Sequence, residues 1–552
     1  MTTSRTNSGL PLKDLYTAED LKGFDLARDL GEPGEFPFTR GIHREMYRTR
    51  GWVQKQLCGL VSPGATNERL KFLRREGVTG LALVPDTPTQ LGLDGDHPTA
   101  QNAIGVQGVP ITHLGDMNTT FRDIPLAEVS ASFSVPGWSA PVIVAQYAAI
   151  AQRRGVPLSA LRGSVQNDPL QARYCCYDSG NPLALTLKFG VDAIEFTSRH
   201  VPNFHPCTVN AYDLRESGLN AVQEMAFAIA IAESYISETV KRGVDVDAFA
   251  RRILIIAAAH IDFFEEIAKF RAARRLWARR LTERFGARDP RSLSLKLAVH
   301  TAGSSLTAEQ PINNVVRSAY EAMAAVLGGC QALDLSSYDE GLAIPSEDSS
   351  RVSVRTQQIL QLETGVAKVI DPLAGSYFVE TLTNDFEGAM SALLDNIDQQ
   401  GGMIAAVENG WFKAQIDRAN FELSQSIDRG ERAVVGRNVY TVPPESDRLL
   451  PITQVHIEPC EEQLHAVQEW KRSRDEQATV RALAALSRVA RSPQNWMPSV
   501  IEASSAGATL GEILGSIREA HGLPYDPLGQ ITNSLPIAPA IPDPLTVGEA
   551  AS

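Results

Sequence analysis

The chain has 552 residues, 43% hydrophobic and 21% charged, the balance of a globular protein with ample core. A net charge of −13 disfavours nucleic acid or an anionic membrane surface as the main partner, since both call for basic stripes. The length suggests several units, although one α/β barrel with insertions also uses about 250 residues or more.

The N-terminal stretch MTTSRTNSGLPLKD has no apolar core, so no secretory signal is expected, and no run reaches the length of a membrane span. A cytoplasmic location is the corresponding expectation. Cys58, Cys175, Cys176, Cys207, Cys330 and Cys460 include no C-x-x-C pair, which disfavours zinc and redox roles.

Residues 1–40 are polar and punctuated by Gly and Pro, and read as an arm that wraps something. Eight short apolar runs follow: Gly80–Val84, Ser130–Val135, Gly163–Gln166, Cys207–Ala211, Arg252–Ala258, Leu295–Val299, Cys330–Leu335 and Val366–Ile370. Helical patterns lie between them, such as Ile261–Phe285 with apolar residues at i, i+3, i+4 and i+7. Alternating strands and helices predict a parallel sheet, and eight units predict a (β/α)8 TIM barrel over residues 41–380. Its active site is expected at the carboxyl ends of the strands.

Those ends present Asp86, Gln166 with Asn167, Tyr212 with Asp213, His260, His300, Ser336 with Ser337, and Asp371. The most telling stretch is Cys207–Gly218, where an apolar run yields to Tyr212 and Asp213 and a helix follows from about Leu219. Ser130, Ser132 and Ser134 alternate and share one face. A barrel interior is ordinarily Val, Ile and Leu, so three serines predict a bore that admits a polar ligand or water. Hydroxyls bonded to local backbone are the alternative.

Beyond Asp371 the pattern is helical, with Phe386–Ile397, Gly402–Asn409, Glu461–Ser487 and Met497–His521 as examples. Residues 381–522 read as a helical lobe interrupted by a loop-rich stretch at 430–460, and residues 523–552 as a Pro-rich tail.

DGDHP at 94–98, GSVQND at 163–168, AYDLRESG at 211–218, FFEEIAKFRAARRLWA at 263–278, SYDE at 337–340 and VIDPLAGSYFVE at 369–380 carry a resemblance. They are similar to the large, substrate-binding chain of the coenzyme-B12-dependent acyl-CoA mutases (methylmalonyl-, isobutyryl- and 2-hydroxyisobutyryl-CoA mutases). The resemblance implies a barrel threaded by the pantetheine arm of coenzyme A. It also implies adenosylcobalamin at the carboxyl end, as source of the radical that starts a carbon-skeleton rearrangement. The D-x-H-x-x-G motif of the cobalamin module is absent from the chain. A separate small cobalamin-binding subunit is therefore implied, in a homodimer or heterotetramer.

Arg50 matches the family, and Gln166, Arg252 and Glu340 stand where it has thioester-side, CoA-side and adenosyl-ribose contacts. Ser132, Ser134 and Tyr212 are expected beside the substrate, and His43, in place of a tyrosine, beside the cofactor. Other positions depart. Leu57 replaces the tyrosine that wedges beside the adenosyl group. Cys176 replaces the arginine that pairs with a substrate carboxylate, which disfavours a dicarboxylic acyl group. Val84 replaces the aspartate that marks 2-hydroxyacyl mutases. Asp213 replaces the histidine that bonds the thioester carbonyl, His300 a glutamine, and Asp334 a further histidine.

Three readings follow. The first is an acyl-CoA mutase for a non-dicarboxylic, branched acyl thioester. The second is a repurposed barrel doing cobalamin-independent chemistry, with Asp213 and His300 as acid–base pair and Cys176 as nucleophile. The third is a catalytically silent, mutase-like subunit.

Overall fold

In the computed structural model, residues 4–443, 446–447 and 458–535 are described. The strands are β1 (Val53–Lys55), β2 (Leu57–Cys58), β3 (Leu81–Leu83), β4 (Ser130–Phe133), β5 (Arg162–Val165), β6 (Phe204–His205), β7 (Cys207–Asn210), β8 (Ile253–Ala259), β9 (Lys296–Thr301) and β10 (Ala332–Asp334). All pairings are parallel, in two five-stranded sheets ordered β1-β10-β9-β8-β7 and β2-β3-β4-β5-β6. Gln56 alone separates β1 from β2, and Pro206 alone separates β6 from β7. Each outer strand of one sheet thus continues, after one residue, as an outer strand of the other. Pro206 has no N–H to give to a ladder, which accounts for one of the breaks.

Seven of the predicted runs contain strands, but Val366–Ile370 does not. Val366–Lys368 is a 3₁₀ turn, and Val369 is 59% exposed. The missing strand segment lies upstream, at β1 and β2, where three consecutive polar residues, Gln54, Lys55 and Gln56, hid it from a search for apolar runs. Asp371 is therefore no strand end. It pairs with Arg271 and Arg40.

The helices cover the sheets through two apolar cores. One packs Ala221–Val240, Phe263–Phe285 and Tyr377–Gln399 behind β7–β10. The other packs Ala140–Arg153, Leu183–His200 and the C-terminal helices behind β3–β5. Residues expected to form a separate lobe enter both: Phe386, Met390 and Leu394 the first, Leu483, Met497 and Ile513 the second. Glu461–Ser487 is two helices, because Asp475 caps a new one by accepting from the Ala478 N–H at 2.9 Å. Met497–His521 also divides, at a Thr509–Glu512 capping box.

The N-terminal arm wraps its own chain. Arg274 donates to the carbonyls of Phe38 and Thr39, and the amides of Asn7 and Ser8 donate to Asp262 and Glu265. Part of the 430–460 stretch and most of the 523–552 tail lie outside the described residues. Among the described residues, no helix is long and apolar enough to cross a membrane.

Candidate active site

A cavity of about 230 Å³ lies between the inward faces of the two sheets. Leu57, Val84, Ser132, Ser134 and Gln166 line it from one sheet and the turns after its strands. Lys55, Ile256, Ala298, His300 and Asp334 line it from the other, and Cys176, Tyr212 and Asp213 close one end. A second pocket, of about 510 Å³, opens at the amino ends of the strands beside Arg50, Val53, Ser130 and Arg162. The alternating serines thus face these two spaces, Ser130 the second and Ser132 and Ser134 the first.

Of the expected site residues, Gln166, Cys176, Leu57, Tyr212, Ser132, Ser134, Asp213 and His300 come together here. Four do not. Arg50 lines the amino-end pocket. His43 is exposed and sits near Arg50 and Lys296, at the amino end of β9, away from the cofactor end assigned to it. Arg252 is buried at the foot of β8 and donates to the Thr197 carbonyl at 3.2 Å. Glu340 stands outside the cavity lining, where its carboxylate accepts from the Ser337 amide at 3.0 Å. Other strand-end groups are structural: Asp86 caps a helix through the Thr89 amide, and Asn167 bonds the carbonyls of Gly190 and Pro206.

Tyr212 and Asp213 occupy the first turn of a short helix, Ala211–Glu216, rather than the strand end. Asn210 starts that turn by accepting from the Asp213 amide at 3.1 Å. The Asp213 carboxylate accepts from Gln171 Nε2 at 3.0 Å. Burial pushes its pKa up to about 6, against the hydrogen bonds of Asn210, Gln171 and Cys176 and the charge of His300. Burial, and then Asp213, push the Cys176 thiol well up. A thiol held protonated is a poor nucleophile.

His300 is buried, and its Nδ1 lies 2.7 Å from the Thr301 carbonyl, which places a proton on Nδ1. Its Nε2 is buried without a partner. Burial opposes an imidazolium here, but Asp334, Glu340, the Thr301 carbonyl and Glu216 outweigh it and raise the pKa. In the charged form Nε2 offers an N–H to the cavity. The Tyr212 ring packs against the imidazole with centroids 4.6 Å apart.

Sequence reasoning passed over Lys55. It sits in register with Asp334, which is in register with His300, so three ionisable groups line up across β1, β10 and β9. The signal was its place two residues after Val53, on the same face of the strand.

The methylmalonyl-CoA mutase family matches residues 5–523. The chain belongs to that family. The 2-hydroxyisobutanoyl-CoA mutase large subunit of Aquincola tertiaricarbonis is 38% identical over 518 residues, 94% of this chain and 92% of the relative. The methylmalonyl-CoA mutase of Cereibacter sphaeroides is 37% identical over 94% of this chain and 73% of its own. The human mitochondrial methylmalonyl-CoA mutase is 35% identical, over 94% and 68% respectively. This family member is an isomerase of the acyl-CoA mutase kind.

The Asp213 shift has a sign that can be checked. A carboxyl with a raised folded-state pKa penalises folding once pH climbs from the ordinary aspartate range through about 6. Asp213→Asn is therefore expected to be more stable than wild type at pH 8 by about 1–3 kcal/mol, with the gain gone near pH 4. Urea unfolding at the two pH values measures it, and a pH-independent difference would rule the shift out.

Proposed function

We propose that this family member is the large, substrate-binding subunit of an adenosylcobalamin-dependent acyl-CoA mutase for a branched, non-dicarboxylic acyl thioester. In this reading the two sheets are one (β/α)8 barrel. The arm of coenzyme A enters past Arg50 at the amino ends, and the acyl group reaches the cavity. The observation that carries the reading is the partnerless Nε2 of His300, buried on a residue that lines that space. In the imidazolium form it is a donor without an acceptor, and a thioester carbonyl supplies one.

The acyl group follows from the lining. No arginine lines the cavity among the described residues, and Asp213 and Asp334 both face it. A second substrate carboxylate would meet these two acids and no guanidinium fork, and the cavity's own cations, Lys55 and His300, already flank Asp334. Leu57, Val84, Ile256 and Ala298 offer a compact apolar surface suited to a branched alkyl group.

The rim suits the cofactor's adenosyl group. A Cβ at Gly303 would stand 3.0 Å from the Tyr212 hydroxyl, 3.2 Å from Glu216 Oε2 and 3.7 Å from Glu340 Oε1, so glycine keeps a polar cradle open. Glu340 and Tyr212 would hold ribose hydroxyls there. The corrin ring holds its own cobalt and asks a protein for at most one axial His, and with no D-x-H-x-x-G motif in the sequence this reading gives that ligand to a small partner subunit. Adenosylcobalamin, when bound, supplies the hydrogen-abstracting radical. The chain's own part is to orient the thioester through His300 and Gln166 and to keep water away from the acyl carbon.

The pKa of about 6 at Asp213, across the cavity from His300, favours acid–base chemistry as a second reading. One experiment separates the two. The chain is mixed with adenosylcobalamin, a candidate small subunit and a panel of branched acyl-CoAs, and isomer formation is followed beside the visible absorption of the corrinoid. Turnover that requires the corrinoid is expected. Turnover without it would favour Asp213 and His300 as acid and base, and tight partner binding without turnover would mark a silent subunit.

A further inference from the structure

Lys55 stands where the two spaces approach each other. On its strand Val53 lines the amino-end pocket while Lys55 lines the cavity. On β4, Ser130 lines the pocket and Ser132 the cavity. The boundary falls one pleat along both strands, and there Lys55 Nζ donates to Ser132 Oγ at 2.7 Å.

An ammonium has three donors, and Ser132 takes one of them. Lys55 is only 9% exposed, and it forms no ion pair among the described residues. Asp334, its register neighbour, accepts instead from the Leu57 amide at 3.2 Å. Burial lowers the lysine pKa, with Asp334 opposing. A barrel interior is ordinarily filled by Val, Ile or Leu, which would avoid this cost. A Cβ at Gly80 would stand 2.6 Å from Val53 Cγ1 and 3.3 Å from Lys55 Cγ, so the glycine leaves room for both side chains.

A buried cation with spare donors, lining a cavity that also holds a partnerless His300 Nε2, is half of a binding arrangement. A carbonyl oxygen has two lone pairs, and Lys55 and His300 flank Asp334 on either side. Resting on the acyl-thioester reading, we infer that Lys55 is a second donor to the thioester carbonyl, turning from Ser132 to that oxygen when the ligand enters. The Lys55–Ser132 bond is then the resting position of a group that binds substrate. The lysine reads the thioester rather than the acyl branch.

The test uses two ligands that differ at one oxygen: isobutyryl-CoA, and S-isobutyl-CoA, the thioether that lacks the carbonyl. Dissociation constants are measured by calorimetry with the full chain, for wild type, Lys55→Met, Lys55→Arg and Ser132→Ala. Lys55→Met is expected to weaken isobutyryl-CoA by about 10- to 100-fold and to leave the thioether within about twofold. Lys55→Arg should recover part of the loss, and Ser132→Ala should bind the thioester at least as well as wild type. Thermal melting guards against misfolding, since methionine removes a buried charge and should not lower the midpoint. Equal thioester affinity in wild type and Lys55→Met would overturn the inference, as would equal losses for both ligands. Wild type binding neither ligand would instead bring down the acyl-thioester reading, and the inference with it.

Discussion

His300→Ala is expected to lower kcat for a branched acyl thioester by about 10²- to 10³-fold, with a much smaller change in KM. The imidazole is fixed before substrate arrives, because the Thr301 carbonyl holds Nδ1 and the Tyr212 ring packs against it. A donor positioned in a buried site acts where charge builds on the carbonyl oxygen, so its loss falls mainly on the rate. His300→Gln keeps a neutral donor and should recover part of the rate. The pH dependence has a definite sign. The imidazolium form exists below a pKa raised above the ordinary histidine value, so kcat should fall as pH rises through it. That limb should disappear in His300→Gln. Steady-state rates of the holoenzyme across pH check both points, and a loss under threefold in His300→Ala would remove His300 from the chemistry.

Much of this architecture was legible in the sequence, and the misses have physical reasons. Ile253–Ala259 is apolar at every position because it is covered by side chains on both faces, so it reads as a buried strand. Val53–Cys58 is the opposite case. Gln54 bonds Gln361, and Gln56 bonds the Leu335 carbonyl and Ser337 on one face, while Lys55 points into the cavity on the other. Polar groups on both faces leave no apolar run to find, and the run at Val366–Ile370 was accepted in its place. The site divides in the same way. Asp213 and His300 were visible as polar residues closing apolar runs. Lys55 and Asp334 were not visible as neighbours, because only strand register brings them together. The placement of His43 and Arg252 at the amino ends depends on which end of a strand each one flanks, and residue matching does not report that.

The other large effect concerns what holds the Asp213 end of the site in place. Lys269 is fully buried, and all three of its donors are used: on Glu224 at 2.8 Å, on the Ala258 carbonyl at 2.7 Å, and on Glu266. Glu224 also accepts from the Ala258 amide at 2.8 Å, so the cluster ties the helices Ala221–Val240 and Phe263–Phe285 to the carboxyl end of β8. Arg215, two residues beyond Asp213, reaches Glu266 at 3.4 Å and Glu265 at 3.6 Å. Lys269→Met preserves the stem and removes the ammonium, which leaves buried carboxylates with Arg215 as their cation. Breaking a buried pair in this way costs about 3–5 kcal/mol. The cost depends on pH. Burial pushes Glu266 up to about 7, against Lys269 and Arg215, and without the lysine it takes up a proton more readily still. The destabilisation should therefore be smaller at pH 5, where protonation relieves it, and larger at pH 8. Adding Glu224→Gln should restore part of the loss at pH 8, because one of the stranded charges is then gone. Denaturant unfolding of the two variants at both pH values decides it. A pH-independent loss below about 1 kcal/mol in Lys269→Met would mean that the cluster does not anchor the helix carrying Asp213.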